Sequence, residues 1–502
     1  MSKRNRRLAR RSSRKPPASG RQPRRRLTNQ DVATSAGELL AFYQQFQDLF
    51  PRREQREWWL LYLCGQLSNL ERKTIEPMML ALVGPDLNAI RGMQHFVGQG
   101  EWAWTPFLEY VQRVAADWLG EADAVLIADG SGFPKQGKHS VGVAHQYCGH
   151  LGKVANSQEG AFVLYASRRG HALVDVRLYM PERWFTPEYQ ERWQTCGVPE
   201  TLTFHTEPEL SLAMITDLVQ RGELPFRWVT CDERYGEIPA FLDGIDALGK
   251  WYFAEMAVDT QVWLQRPTVE PPGPGVLGRP RLHPRVSRTA PHAQTLQEVM
   301  EGLPTRAWHV HVVKEGSKGP LVAEFAWLRV TPVRDKLPGP RCWAIFRRTL
   351  GREPELKFFL SNAPVSCPSL EFVRVSGLRW PIETAFEEAK GEVGMDHYET
   401  RTWAGWHHQM TLSILSHLCL VHIQLVFKKK SGADDQPGAA TTGPSDRRIP
   451  PPLSRYSGAL GVSPAPKLRR LLFASQTHAC QAQAAIIQAS KTLISAANAK
   501  IS

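Results

Sequence analysis

Apolar positions along this chain follow a helical period first and a strand period afterwards. Five successive stretches, 36–50, 55–67, 74–82, 87–97 and 106–119, repeat at helical spacing and predict a helical domain over 35–119. From Ala124 the rhythm changes. Ala124-Val125-Leu126-Ile127-Ala128 is a short continuous apolar run of the kind expected for a strand buried on both faces. Gly130-Ser131-Gly132 is predicted to end it at once, so that the Asp129 carboxylate emerges at the strand's carboxyl end. The runs 160–167 and 172–180 are joined by Arg168-Arg169-Gly170-His171, and Val174, Val176 and Leu178 alternate with Asp175 and Arg177, which predicts a hairpin. A helix over 207–220 carries Leu210, Met214, Ile215, Leu218 and Val219 on one side, with Gly222 as its stop, and a strand over 226–231 then delivers Asp232.

A helix over 235–248 and a strand over 251–256 follow, so the order reads strand, strand, strand, helix, strand, helix, strand. This α/β order matches a ribonuclease-H-like arrangement, in which the first and fourth strands are parallel neighbours. Adjacent strands lie about 4.8 Å apart, so Asp129 and Asp232 would share one site. The predicted core covers 120–256 and resumes over 366–430. The interval before it resumes is too long for one loop and predicts an inserted domain over 257–365. Within it, 265–295 reads as irregular, whereas 307–313, 320–330, 341–348 and 355–360 read as β segments. Composition rich in Gly, Ala, Thr, Ser and Pro marks 431–466 as a linker, and a helical tail is expected within 467–502.

A third acid stands in Arg379-Trp380-Pro381-Ile382-Glu383. Pro381 suits a first helical position, and Ile382, Ala385, Phe386, Ala389 and Val393 repeat at helical spacing. Glu383 then falls in the first turn, with Glu387 and Lys390 on a similar face. A surface helix with an ordinary Glu/Lys pairing fits the same residues, a strand-end turn fits Asp129, and a helix N-cap fits Asp232. Taken as a set, the acids suggest a cation site, because close carboxylates repel unless a cation lies between them or one is protonated. Oxygen ligands favour Mg2+ or Mn2+, and no clustered His or Cys set suggests zinc. Two such ions about 3.5 to 4 Å apart suit in-line phosphoryl transfer.

Arg379, Glu383 and Lys390 reproduce the spacing of the Tyr-Arg-Glu-Lys signature of bacterial insertion-sequence DDE transposases, with Ser376 at the Tyr position. The stretches 127–135, 146–149 and 156–158 resemble that group's first-Asp block, and Cys231-Asp232-Glu233-Arg234-Tyr235-Gly236 resembles its second. The resemblance spans roughly 35–430. It implies an enzyme that cleaves the ends of its element and joins the 3′-hydroxyls to target DNA, with Asp129, Asp232 and Glu383 catalytic and holding two Mg2+ ions. It also implies Arg379 and Lys390 as phosphate contacts, which agrees with the bidentate fork of Arg and the point charge of Lys. Further implications are a β-rich insertion and an N-terminal helical domain that hold transposon ends, a homodimer assembled on duplex DNA, and a bacterial, nucleoid-associated location.

Charge adds a polyanion-binding arm. The net charge is +13, and residues 1–27 carry 12 bases and no acid, among them Arg6, Arg7, Arg10, Arg11, Arg24, Arg25 and Arg26. Such an arm, over 1–34, favours DNA nonspecifically through counterion release; a solubilising tail or a presequence shares its composition. The strands of the insertion add Lys314, Lys318, Arg329, Arg347 and Arg348, which suit phosphates or merely solvated faces. Trp102, Trp104 and Phe107 suit either base stacking or helix packing. Eight scattered cysteines without a CxxC pair predict reduced thiols in a cytoplasmic protein. The apolar run 411–427 is interrupted by Ser413, Ser416, His417, His422 and Gln424, which favours a buried helix over a membrane span. Two other functions remain open at this point: a domesticated DNA-binding regulator with an unused nuclease core, and a two-carboxylate glycoside hydrolase, against which the basic arm, Arg379 and Lys390 argue.

Overall fold

The computed structural model describes residues 29–273, 281–316, 319–351 and 353–430. The basic arm through Arg26, the 431–466 stretch and the helix expected within 467–502 lie outside the described residues.

Five helices come first: α1 (Asn29–Phe46), α2 (Arg53–Gln66), α3 (Ile75–Val83), α4 (Leu87–Gly98) and α5 (Thr105–Leu119). Local chemistry sets their starts. The Asp86 side chain accepts from the Asn88 and Ala89 N–H groups to cap α4, and Pro106 opens α5 where no N–H is needed. Phe42, Phe46, Phe50, Trp59, Phe96 and Phe107 are buried between these helices, and Phe50 meets Phe107 at 4.5 Å between ring centroids. Trp102 is buried against His408, with ring centroids 3.8 Å apart, so this indole packs the interior.

The central sheet uses β1 (Val125–Pro134), β2 (Ala144–Cys148), β3 (Lys153–Ala166) and β4 (His171–Tyr179). Next come α6 (Gln190–Thr195), α7 (Glu207–Arg221), β5 (Trp228–Cys231), α8 (Glu233–Gly236), α9 (Pro239–Ala247) and β6 (Trp251–Met256). A capping box between Thr206 and Glu209 starts α7, and Gly222 ends it in the left-handed region at φ 66°. The helix expected over 235–248 is two helices, because Pro239 disfavours helical backbone at Ile238 and restarts the coil one turn later.

Strand order through this part is β4-β3-β1-β5-β6, with β1, β5 and β6 parallel and β3 antiparallel to both of its neighbours. Val125, Leu126, Ile127 and Ala128 are at most 1% exposed, which explains their unbroken apolar run. Unlike the expected early stop, β1 continues through Gly130-Ser131-Gly132 to Pro134, paired with β3 along its whole length. Its pairing with β5 ends at Ala128, opposite Cys231.

Most strands of the expected insertion extend this same sheet, and two short ones pair only with each other. The insertion strands are β7 (Gln261–Trp263), β8 (Val269–Glu270), β9 (Arg285–Val286), β10 (Gln294–Thr295), β11 (His309–Gly316), β12 (Gly319–Arg334), β13 (Leu337–Pro338), β14 (Cys342–Thr349) and β15 (Leu356–Ser361), with α10 (Leu296–Glu301) between β10 and β11. β12, β14 and β15 pair in sequence, and β15 joins the edge of β6 through Phe359 opposite Glu255.

Three helices finish the described chain: α11 (Ser369–Gly377), α12 (Pro381–Gly391) and α13 (Trp403–Lys430). α13 is long and apolar enough to cross a membrane, yet its side chains are largely buried inside the protein, against α1, α2, α4, α5 and β4. Several of its polar side chains are spent on internal bonds. Gln66 donates to Ser413 at 2.9 Å, Tyr62 donates to Gln409, and His408 meets the Val97 and Trp102 carbonyls at 3.0 and 2.9 Å. These bonds tie α2, α4 and the turn before α5 to α13, which itself packs on β4.

Candidate active site

Parallel pairing of β1 with β5 stops at Ala128 and Cys231, so the residues that follow, Asp129, still paired with β3, and Asp232, just past the end of β5, stand at adjoining positions. Asp232 also caps α8, its Oδ1 accepting the Tyr235 N–H at 3.1 Å. Asp129 Oδ1 accepts the Gly130 N–H at 2.8 Å. Glu383 arrives from the first turn of α12 and is exposed to the same cavity, which has a volume of about 1190 Å³ and is lined by all three acids.

The electrostatics register their proximity. Burial and the charge of Asp232 push the Asp129 carboxyl up to about 7, with Glu383 adding to the rise, while Arg379 and the Gly130 N–H oppose it. Arg379 keeps its proton in spite of burial because Glu255, Asp129, Asp232 and Glu383 all surround it. Its Nη1 donates to Glu255 Oε2 at 2.6 Å, and Glu255, on β6, also receives Lys357 from β15. Lys390 stands on the wall, its Nζ donating to the Gly132 carbonyl at 3.0 Å and lying 5.0 Å from the Phe133 ring centroid. Burial lowers its pKa. Ser376, at the signature's Tyr position, is buried and donates to the Val373 carbonyl of its own helix at 2.8 Å.

Further acids line the cavity that periodicity did not single out. Glu207, in the first turn of α7, is buried and held by both terminal nitrogens of Arg234, at 2.9 and 3.2 Å. Glu159, on β3, accepts from Ser157 at 2.9 Å, and burial pushes its carboxyl up to about 7. Their positions explain the glycines of β1. A Cβ on Gly130 would stand 2.6 Å from Glu207 Oε2, and one on Gly132 would stand 2.7 Å from Glu159 Oε1. Here glycine marks a close approach by carboxylates within a continuing strand.

Eight carboxyl side chains line the cavity against Arg234 and Lys390. A phosphodiester would be repelled from such a wall, and burial together with the charge of Asp232 raises the Asp129 pKa, so the donor set fits hard divalent cations. Asp129, Asp232 and Glu383 face one cavity without closing into a single-ion cluster. Among the described residues, the set of three whose ligand atoms all lie within 4.8 Å of one another is His171, Glu388 and His417.

The basic residues of the added strands are engaged internally. Arg329 donates to the Arg341 carbonyl at 2.7 Å, and Arg348 pairs with Glu324 at 2.6 Å. Arg347 is partly buried. Lys318 and the side chain of Lys314 lie outside the described residues.

Comparison with known proteins adds two findings. The family described as DDE superfamily endonuclease matches residues 42–320, more than half of the chain. A relative from Microchaete diplosiphon, a probable transposase for insertion sequence element IS701, is 23% identical over 360 residues, which cover 71% of this chain and 80% of the relative.

Proposed function

The chain belongs to the DDE superfamily of endonucleases, and from that premise we propose that it is a transposase that cuts the ends of an insertion sequence and joins their 3′-hydroxyls to target DNA. The observation that carries this reading is the end of the β1/β5 pairing at Ala128 and Cys231, which puts Asp129 and Asp232 at adjoining positions on the cavity that Glu383 also lines. The strand order β4-β3-β1-β5-β6 supports a ribonuclease-H-like core around them. The relative named as an insertion-sequence transposase supports the substrate class.

Asp129, Asp232 and Glu383 are the residues that would hold the ions. Asp129 feels the charges of both other acids, as suits the shared ligand of a pair. When bound, divalent ions supply activation of the attacking oxygen and stabilisation of the leaving one. The protein's own groups position the DNA strand. Lys390 presents a cation on the cavity wall, and Arg379, anchored by Glu255, places a positive charge beside the acids that opposes the rise in the Asp129 pKa. The helical region over 35–119 and the strands over 257–365 are proposed to hold the element's ends, a role supported by their attachment to α13 and β6, which leaves both fixed relative to the acids.

The test is incubation of the full chain with Mg2+ and duplex DNA carrying the element's ends. Breaks with 3′-hydroxyl termini are expected, together with their loss in Asp129→Ala and on chelation. Intact DNA under conditions where the wild-type protein binds those ends would refute the reading.

A further inference from the structure

Behind the helix that carries Glu383 lies a second group of potential ligands, assembled from three separate elements. His171 opens β4, Glu388 lies on α12, and His417 lies on α13. Glu388 Oε2 is 3.2 Å from His417 Nε2 and 3.8 Å from His171 Nε2, and the ligand atoms of all three lie within 4.8 Å of one another. The His417 side chain is fully buried, and those of Glu388 and His171 are 13% and 21% exposed.

Hydrogen bonding leaves this group incomplete. His171 Nε2 is a buried atom without a hydrogen-bond partner, and 3.8 Å from a carboxylate oxygen is too long to supply one. A buried unpartnered nitrogen costs free energy, so its position facing Glu388 asks for something between them. A zinc ion with ligands about 2.0 to 2.2 Å away sets its ligand atoms roughly 3.4 Å from one another in a tetrahedron. The two separations to Glu388 bracket that value, and the two imidazoles lie within 4.8 Å of each other.

We propose that His171, Glu388 and His417 form a transition-metal site with the two-imidazole, one-carboxylate ligand set that suits Zn2+, fastening α12 to β4 and α13. Imidazole selects zinc-like ions over the hard Mg2+ expected among the carboxylates of the main cavity. Three protein ligands leave one position of a tetrahedral set for a further ligand. Glu388 follows Glu383 by five residues on α12, about 140° around the helix. Glu383 faces the acid cavity while Glu388 is held from behind. An ion here would fix the helix that delivers the third acid, without touching the DNA.

The experiment uses the full chain, stripped by chelator, desalted and titrated with Co2+ as a spectroscopic stand-in for zinc. One equivalent is expected to develop the visible d–d absorption of a low-symmetry site and to be displaced by Zn2+. His171→Gln and Glu388→Gln, each checked for a native circular-dichroism spectrum, are expected to lose the absorption and bind at least about tenfold more weakly. Asp129→Asn is expected to keep it. No absorption in the wild-type chain would overturn the site, as would absorption that survives in both His171→Gln and Glu388→Gln or disappears in Asp129→Asn. Because the readout is independent of DNA cleavage, its failure is distinguishable from failure of the transposase reading.

Discussion

Arg379 stands beside the three acids tied to Glu255, its Nη1 2.6 Å from the carboxylate oxygen. Glu255 is 8% exposed in its side chain and also receives Lys357, so one buried acid is shared by two cations. The trio carries a surplus positive charge beside Asp129, Asp232 and Glu383, which lowers the cost of keeping those acids ionised. An arginine that serves the acids in this way is built into the sheet through β6 as much as into the signature helix.

Removing that guanidinium separates its two roles. Arg379→Gln is expected to destabilise the fold by about 3 kcal/mol, since it strips one partner from a buried carboxylate, and to slow cleavage by roughly 100-fold through lost electrostatic support. The double variant Glu255→Gln/Arg379→Gln should regain most of the stability in urea unfolding and none of the cleavage. Recovery of cleavage in the double variant would show that Arg379 serves only the fold.

Lys390 offers a simpler test of phosphate contact. Its Nζ is bonded to the Gly132 carbonyl, so a purely structural role predicts lost stability and an unchanged response of DNA binding to salt. A phosphate contact releases counterions. Lys390→Gln is then expected to lower the slope of log affinity against log salt by about 0.9, read by fluorescence anisotropy on end-containing DNA.

Much of the architecture was legible because it is local. The five N-terminal helices, the parallel strand before Asp232 and the helix start at Pro381 follow from periodicity, caps and proline chemistry. What escaped depends on groups brought from elsewhere in the chain. Gly130 and Gly132 read as a strand break because nothing nearby in sequence reveals that Glu207 and Glu159 occupy the space of their missing side chains. The β segments after residue 300 were visible as strands, but their joining to β6 rests on pairing between Phe359 and Glu255, a tertiary choice. His171, Glu388 and His417 show no spacing pattern at all, because their convergence is set by the packing of β4, α12 and α13.

The close approach of Glu207 to β1 makes Gly130 sensitive to a single methyl group. Gly130→Ala would place Cβ 2.6 Å from Glu207 Oε2, and that carboxylate is pinned by both terminal nitrogens of Arg234. Such overpacking is expected to cost about 1 to 3 kcal/mol in unfolding free energy. The strain sits one residue from Asp129, so cleavage should fall further than the stability loss explains at a temperature where the variant stays folded. Gly137→Ala has open space around its Cβ and serves as the control. Equal behaviour of the two variants would remove Glu207 from the argument.

Asp129 carries the clearest pH signature. Its carboxyl is raised from 3.8 to about 7 by burial and by Asp232, so the folded protein holds this proton over a range in which the unfolded chain has released it. The sign follows directly. The contribution to stability is complete below pH 4, declines between pH 4 and 7, and is gone above pH 7, a change of at most about 4 kcal/mol for roughly three pKa units. Glu159 titrates over a similar range, so the wild-type profile alone is not diagnostic, but its difference from Asp129→Asn isolates the one group. In chelator, Asp129→Asn should match the wild-type protein near pH 4 and exceed its stability at pH 8, while cleaving nothing. Mg2+ should reverse the order at pH 8, because ions held by the three acids stabilise only the chain that can bind them. Parallel profiles for the two proteins from pH 4 to 8, with and without Mg2+, would mean that Asp129 bears no such electrostatic burden and is not part of a cation site.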